Sequence, residues 1–125
     1  MSTSLNPVTW FEIPVNDMDR AKKFYEAVFE VELSLNDLGG VLMAWFPMHP
    51  GAPNAMGTLI KEKSYTPSYA GTLVYFSTPD IEAALARVNA NGGKTLNPKM
   101  SIGQYGFVGH FEDTEGNRVA LHSMS

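Results

Sequence analysis

The chain contains 125 residues, of which 44% are hydrophobic and 18% charged, a composition that excludes a disordered segment and predicts one folded domain. It has no cysteine, so disulfides, thiolate metal sites and a thiol nucleophile are excluded. A formal net charge of −4 provides no excess of cations for a phosphate backbone, and we expect no nucleic-acid partner.

The sequence also predicts a cytoplasmic protein without a membrane span. The N-terminal residues MSTSLNPVTW lack the basic and then apolar pattern of a signal peptide. The longest apolar runs, such as residues 41–46, are far shorter than the roughly 20 residues that cross a bilayer.

The two halves of the chain share a faint repeat. DMDRA at residues 17–21 aligns with DIEAA at residues 80–84, which is 63 positions later, and each segment follows an apolar run typical of a strand. Two copies of this length nearly fill the chain. We therefore expect two similar structural modules.

Each half predicts one amphipathic helix. Asn16 or Asp17 can cap the first helix, and Thr78 or Asp80 can cap the second. The sequence Asn-Gly-Gly at residues 91–93 is a helix stop. Apolar residues recur at helical spacing at Met18, Ala21, Tyr25, Val28 and Phe29, and again at Ile81, Ala84, Leu85 and Val88.

Each predicted helix follows one strand and precedes three more. The predicted strands are residues 8–15, 31–36, 41–46 and 55–61 in the first half, and 72–77, 94–98, 107–112 and 118–123 in the second. The pattern is an α+β fold of two βαβββ modules, at about residues 6–61 and 71–123, in a single domain over residues 1–125. Two ferredoxin-like halves are an alternative with a similar alternation of strands and helices.

Two segments carry a family resemblance. EIPVND at residues 12–17, followed by Arg20 and Tyr25, resembles the opening of the vicinal oxygen chelate superfamily, which includes glyoxalase I, bleomycin-resistance proteins and extradiol dioxygenases. DTEGN at residues 113–117, before a short apolar strand, resembles its closing motif. The resemblance implies modules curled around a cleft, often completed in a homodimer. It is narrowest to small bacterial glyoxalase-related proteins.

Enzymes of this superfamily usually hold one divalent metal ion with His, Gln or Glu side chains from the first and last strands of the modules. The resemblance carries these four ligand positions onto Trp10, Gly57, Leu73 and Ala120. None of these side chains can coordinate a metal ion. We therefore expect no metal at the usual family site, and the sequence leaves open whether any other cofactor binds.

Strand alternation predicts which residues face the cleft. Trp10 and Glu12 are expected to face it, with the small residues Gly57 and Ala120 leaving room beside the indole. Such a hollow, with aromatic walls and a few polar groups, is typical of ligand pockets. The predicted ligand-binding residues are Trp10, Trp45, Tyr75 and Arg118.

Glu12 and His122 are the candidate catalytic residues. Glu12 lies in an otherwise apolar strand, so we expect it to be buried, as a general base, as a metal ligand or in a salt bridge that closes the fold. His122 is either its counterpart across the cleft or a partly exposed residue at a strand end. The two, with or without His110, are an alternative metal site. His110 and Glu112 share a strand face whose direction the sequence does not reveal.

Three functions stay open. The first is a small-molecule enzyme with a metal at a shifted position, a lyase or isomerase related to lactoylglutathione lyase. The second is a metal-free protein of the bleomycin-resistance type, whose dimeric cleft sequesters a planar or aromatic compound. The third is a structural homodimer without a ligand, which predicts a filled cleft.

Overall fold

A computed structural model describes residues 6–125 of the chain. The first five residues, which belong to the predicted domain and to the segment searched for a signal peptide, lie outside the described residues. The elements in chain order are β1 (Trp10–Pro14), α1 (Met18–Phe29), β2 (Ser34–Leu38), β3 (Val41–Trp45), β4 (Met56–Lys61), β5 (Tyr75–Ser77), α2 (Ile81–Ala90), β6 (Lys94–Ser101), a short 3-10 turn (Gly103–Tyr105), β7 (Phe107–Glu112) and β8 (Arg118–Ser123).

The strands form two four-stranded sheets with the same topology. Their orders are β1-β4-β3-β2 and β5-β8-β7-β6. The outer strand of each sheet, β1 or β5, pairs in parallel with the last strand of its half, and the other pairs are antiparallel. The predicted α+β fold of two βαβββ modules is confirmed. The ferredoxin-like alternative is wrong, because each sheet receives one helix from its own half.

Local capping chemistry begins both helices. The Asp17 carboxylate accepts a hydrogen bond of 3.0 Å from the Arg20 amide, and Asp80 accepts one of 3.0 Å from the Ala83 amide. An aspartate at this position satisfies an amide that has no partner within the helix. Asp17 and Asp80 are therefore the caps among the predicted alternatives. The first helix ends at Glu30, which adopts a left-handed conformation with φ of 55°.

The two halves share one hydrophobic core, which lies between the helices and the sheets. Phe24 of α1 packs against Phe111 of β7, with ring centroids 6.0 Å apart. Tyr25 of α1 donates a hydrogen bond of 2.7 Å to the Asp113 carboxylate in the turn before β8. The helical periodicity read from the sequence therefore buries the apolar stripe of α1 against both halves of the molecule.

Strands β7 and β8 have their predicted bounds, and the other six strands differ from theirs. β1 is shorter than predicted at both ends, and β2 covers Ser34–Leu38 in place of residues 31–36. The outer strand β5 covers only Tyr75–Ser77, although one further bond of 2.9 Å joins the Ala120 amide to the Val74 carbonyl. In contrast, β6 continues past Pro98 to Ser101. Proline lacks an amide donor, and an edge strand tolerates it because one side of that strand needs no partner. Neither helix in the described residues is long and apolar enough to cross a membrane.

Candidate functional site

Strand register sorts the side chains onto two faces. Phe11 pairs with Gly57 and Glu12 pairs with Thr58, so alternate residues of β1 and β4 share a face. Phe11 and Ile13 point toward the core under α1. We call the face of each sheet that is turned away from its helix the open face. Trp10 and Glu12 lie on the open face, as the sequence predicts.

A cleft of about 1240 Å³ lies between the two halves. Strands β1 and β5, the outer strands of the two sheets, contribute to its walls, together with residues from β6, β7 and β8. Trp10, Glu12, Tyr75, His110 and His122 all line it. The structure therefore brings together both candidate catalytic residues and two of the four predicted ligand contacts. The filled cleft of the structural-dimer hypothesis is not observed.

Phenylalanine rings form one wall of the cleft. Phe76 lies 5.6 Å from Phe11, 4.4 Å from Phe29 and 5.4 Å from Phe46, measured between ring centroids. All four line the cleft and also pack against the core. The wall is held by core packing, so its shape is set before a ligand arrives.

Sequence reasoning missed most of this wall. None of the four rings is among the ligand contacts that the sequence predicts. These side chains lie at the edge of the core, where the two halves meet. Consecutive residues of β1 and of β5 line the cleft there, so both faces of each outer strand contribute to it. Strand alternation carries no signal for that junction.

The four positions that the resemblance assigns to metal ligands are not arranged around one point. Trp10 pairs with Met56, and it is Phe11 that pairs with Gly57, so Trp10 and Gly57 lie on opposite faces of their sheet. A Cβ atom at Gly57 would overlap the ring of Phe11. The expected free space beside the indole at Gly57 is therefore wrong, because the ring of Phe11 fills it.

The other two family positions are equally unable to hold a metal ion. Leu73 lines the cleft, and Ala120 is fully buried and pairs with Tyr75 of β5.

The described residues also do not provide the ligands of a divalent metal ion at another position. Across residues 6–125, no three His, Asp or Glu side chains come together as ligands for one ion. A catalytic metal site normally needs three protein ligands and an open position.

Glu12 is exposed, and the prediction that it is buried is wrong. It lies on the open face of an outer strand, where it accepts a hydrogen bond of 3.3 Å from the Trp10 indole nitrogen. The negative charge of Glu12 raises the pKa of Tyr65, which lies in the connector between the halves. The Glu12 carboxylate therefore lies near the indole of Trp10 and the phenol of Tyr65. Among the described residues it does not form an ion pair with His122.

The two histidines lie on the open face of the second sheet. His110 pairs with Ala120 and Val108 pairs with His122, so the two imidazoles are diagonal neighbours on β7 and β8. His122 Nε2 lies 2.6 Å from the Tyr105 carbonyl oxygen. Asn97 Nδ2 lies 3.3 Å from His110 Nδ1. Burial, followed by the positive charge of Arg118, lowers the pKa of His110.

The sequence did not reveal which way the strand face carrying His110 and Glu112 points. In the structure it is the open face of the second sheet. Glu112 lies on it as well, but the Tyr69 hydroxyl donates a hydrogen bond to the Glu112 carboxylate. His110 lines the cleft, whereas Glu112 does not. The two residues do not act together on one ligand in this arrangement.

Two predicted ligand contacts lie outside the cleft. Trp45 packs edge to face against Trp10 with ring centroids 6.3 Å apart and does not itself line the cleft. Arg118 lines a separate small cavity of about 120 Å³ beside the connector between the halves. Both lie on the open face, but alternation does not indicate how far along a sheet the cleft reaches.

The fold and the cleft together define a class of protein in which two βαβββ modules enclose a cleft. A family model described as the Glyoxalase/Bleomycin resistance protein/Dioxygenase superfamily matches residues 6–121. The chain belongs to this superfamily, as the resemblance implied.

Two curated relatives show how far the sequence similarity extends. CFP32 of Mycobacterium tuberculosis, which bears a glyoxylase name, is 29% identical over 125 aligned residues, covering 90% of this chain and 43% of CFP32. The chain therefore spans less than half the length of that relative. A glyoxylase-like domain-containing protein of Didymella fabae is 30% identical over 119 residues, covering 91% of each chain.

Two solved structures have the same fold. Maize glyoxalase I superposes with a TM-score of 0.72 at 22% identity, over 94% of this chain and 46% of the maize chain. TnmS3, an antibiotic binding protein from a Streptomyces species, superposes with a TM-score of 0.64 at 25% identity. The match covers 99% of this chain and 100% of TnmS3.

Proposed function

We propose that this protein binds an uncharged, apolar aromatic small molecule in the cleft, without a metal ion. The observation that carries the proposal is the cleft itself, which is somewhat larger than the roughly 300–1,000 Å³ of most ligand pockets and has a wall of packed phenylalanine rings. Aromatic walls of this kind stack on and bury flat apolar compounds.

The charges of the lining favour an uncharged ligand. Among the described residues that line the cleft, Glu12 is the one aspartate, glutamate, lysine or arginine. A ligand that carries carboxylates, such as an acidic thiol adduct, would bring negative charge toward Glu12 and would find no lysine or arginine to pair with. Burying unpaired charge is costly, so such ligands are disfavoured.

The similarity to TnmS3 supports binding over catalysis. That protein is an antibiotic binding protein and matches nearly the whole of this chain. A metal-dependent lyase or isomerase would need a ligand set that the described residues do not supply. The candidate catalytic residues Glu12 and His122 then serve as polar contacts at the cleft. The homodimer and the cytoplasmic location remain predictions.

A pair of matched fluorescent probes tests the proposal. N-phenyl-1-naphthylamine is uncharged, and 1-anilinonaphthalene-8-sulfonate is the same skeleton with a sulfonate. We expect the uncharged probe to bind with enhanced emission, and the anionic probe to bind at least about tenfold more weakly. Failure of the uncharged probe to bind, or tighter binding of the anionic one, would contradict the proposal.

Two tryptophan variants assign that binding to the cleft. Trp10→Ala removes part of the lining, and we expect it to weaken the uncharged probe about tenfold. Trp45→Phe is the matched control, because Trp45 supports the site without lining it. Equal affinities of wild type and Trp10→Ala would place the probe elsewhere and overturn the proposed site.

A titration tests the metal-free part. Ni²⁺ or Mn²⁺ added to protein purified without chelator should leave the thermal unfolding midpoint unchanged, since a bound ion would raise it. The same titration of Glu12→Gln is the control. A rise in the wild-type midpoint that Glu12→Gln abolishes would restore the metal-dependent function.

A further inference from the structure

The two histidines of the cleft differ in which ring nitrogen is free. His110 and His122 are diagonal neighbours across β7 and β8, at a spacing of about 7–8 Å in such pairs. In each histidine, one ring nitrogen forms a hydrogen bond with another residue, Asn97 for His110 and Tyr105 for His122. A neutral imidazole carries one proton, so the engaged nitrogen decides whether the other one donates or accepts.

His122 presents a hydrogen-bond acceptor. Its Nε2 lies 2.6 Å from the Tyr105 carbonyl oxygen, which can only accept, so Nε2 carries the proton. Tyr105 ends the 3-10 turn, and the turn is closed by a bond of 3.2 Å from the Gly106 amide to the Gly103 carbonyl. The neutral ring therefore keeps its lone pair on Nδ1, which has no hydrogen-bond partner among the described residues.

His110 presents a hydrogen-bond donor. The Asn97 amide nitrogen donates to His110 Nδ1 at 3.3 Å, so the proton of the neutral ring is on Nε2. The ring lies edge-on to Tyr75, with centroids 6.1 Å apart, at the wall of the cleft. Within residues 6–125, no side chain or backbone group accepts a hydrogen bond from Nε2.

We propose that His110 and His122 form a donor–acceptor pair that selects, among uncharged aromatic ligands, those carrying a carbonyl acceptor and an N–H or O–H donor at the same end. This inference rests on the proposed function and assigns the polar end of the same ligand. The apolar body would lie against Phe76 and its neighbours, and the polar end would reach the second sheet.

The engaged nitrogens also limit what this pair can offer a metal ion. Neutral His110 has its lone pair on Nδ1, which accepts a hydrogen bond from Asn97, so only Nδ1 of His122 has a free lone pair, and one donor does not make a metal site. The remaining groups are one donor and one acceptor, which complement each other in a neutral ligand. Lactams and phenolic ketones have this pattern.

Three bicyclic compounds of similar shape test the pair. Naphthalene has neither group, quinoline has an acceptor, and 2-quinolone has an acceptor beside an N–H donor. Each would compete with bound N-phenyl-1-naphthylamine, which reports affinity by loss of emission. We expect 2-quinolone to compete about tenfold more strongly than naphthalene, with quinoline between them.

Histidine variants assign the preference to the two rings. His110→Leu and His122→Leu should each reduce the preference for 2-quinolone several-fold and leave naphthalene unchanged. In the double variant, 2-quinolone should bind more weakly than naphthalene, because its polar groups are desolvated without partners. Glutamine at position 110 restores a donor near Nε2, so His110→Gln should retain most of the preference.

Glu112→Gln is the matched control, since Glu112 lies on the same face of β7 as His110 without lining the cleft, and the change should not alter the preference. Far-ultraviolet circular dichroism and the unfolding midpoint establish that each variant is folded. If the fluorescent probe binds but wild type does not distinguish the three competitors, the inference is wrong and the proposed function stands. If the probe does not bind at all, the proposed function fails first.

Discussion

The ring of Phe11 occupies the space where a side chain at position 57 would begin. The backbone of Gly57 does not have a positive φ, so its conformation does not require glycine. The reason for glycine is therefore the close approach of the ring and not the backbone. This contact places Phe11 in the cleft wall, so the absence of a side chain at position 57 contributes to the shape of the cleft.

Gly57→Ala should destabilise the protein by about 1–3 kcal/mol, the usual cost of overpacking a filled space. The change in the free energy of unfolding is measured by urea denaturation. Phe11→Leu in the same chain shortens the opposing side chain and should recover part of the loss, which serves as the control. Full stability of Gly57→Ala alone would show that the ring is free to move.

The first helix depends on a turn from the other half of the chain. The Glu115 carboxylate accepts hydrogen bonds of 2.8 Å from the amides of Asn16 and Asp17 and 2.8 Å from Arg20 Nε. Its side chain is fully buried, and Arg20 is half exposed. A carboxylate at a helix N-terminus satisfies free amides and interacts favourably with the helix dipole. The DTEGN motif therefore holds the two halves together.

Glu115→Gln keeps the shape of the side chain and removes its charge. We expect a loss of about 2 kcal/mol in the free energy of unfolding, because charge-assisted hydrogen bonds to buried groups are lost. Lys22→Met is the control, since it breaks an i,i+4 pair at the surface of the same helix and should cost less than about 0.5 kcal/mol. Similar losses in the two variants would contradict the role of Glu115.

The same carboxylate makes stability depend on pH. Burial favours the protonated form of Glu115, but hydrogen bonds from Arg20 and from the amides of Asp17 and Asn16 outweigh it and lower the pKa from 4.5 to about 2. A folded-state pKa below the unfolded one contributes stability that is complete above pH 4.5 and is lost as the pH falls toward 2.

Comparison with Glu115→Gln isolates this contribution. Burial raises the pKa of Asp113, which acts in the opposite direction, but Asp113 is present in both proteins. The stability difference between wild type and Glu115→Gln should therefore shrink as the pH is lowered from about 5 to about 2. Urea denaturation at several pH values measures it. A difference that does not vary with pH would refute the assignment.

The whole molecule should unfold as one unit, because its core is shared between the halves. Both tryptophans, Trp10 and Trp45, belong to the first half, so their fluorescence reports on that half alone. Far-ultraviolet circular dichroism reports on both helices. We expect the two transitions to coincide in urea.

Tyr25→Phe provides the matching variant. It removes the hydroxyl that donates to Asp113 across the two halves, and it should lower the free energy of unfolding by about 1–2 kcal/mol. Both probes should shift to the same extent. A tryptophan transition that precedes the circular dichroism transition would show that the halves unfold separately.

Local patterns in the sequence determined the elements, the α+β class and the face on which most side chains lie. Period-3.6 and period-2 patterns depend only on neighbours in the chain, so the buried face of Tyr25 in α1 and the open face of Trp10 in β1 could be predicted from the sequence. The same patterns wrongly predicted that Glu12 is buried. Alternation indicates the face on which a side chain lies, but not whether that face is covered at an outer strand.

Contacts between residues far apart in the chain were decided only by the tertiary structure. Glu115 meets Asn16 across 99 positions, and Phe76 meets Phe29 at the junction of the halves. The hydrogen bonds that set the proton positions of His110 and His122 depend on the bulged β6 strand and on the turn before β7. Such contacts depend on how two sheets pack, and this packing leaves no periodic signal in the order of the residues.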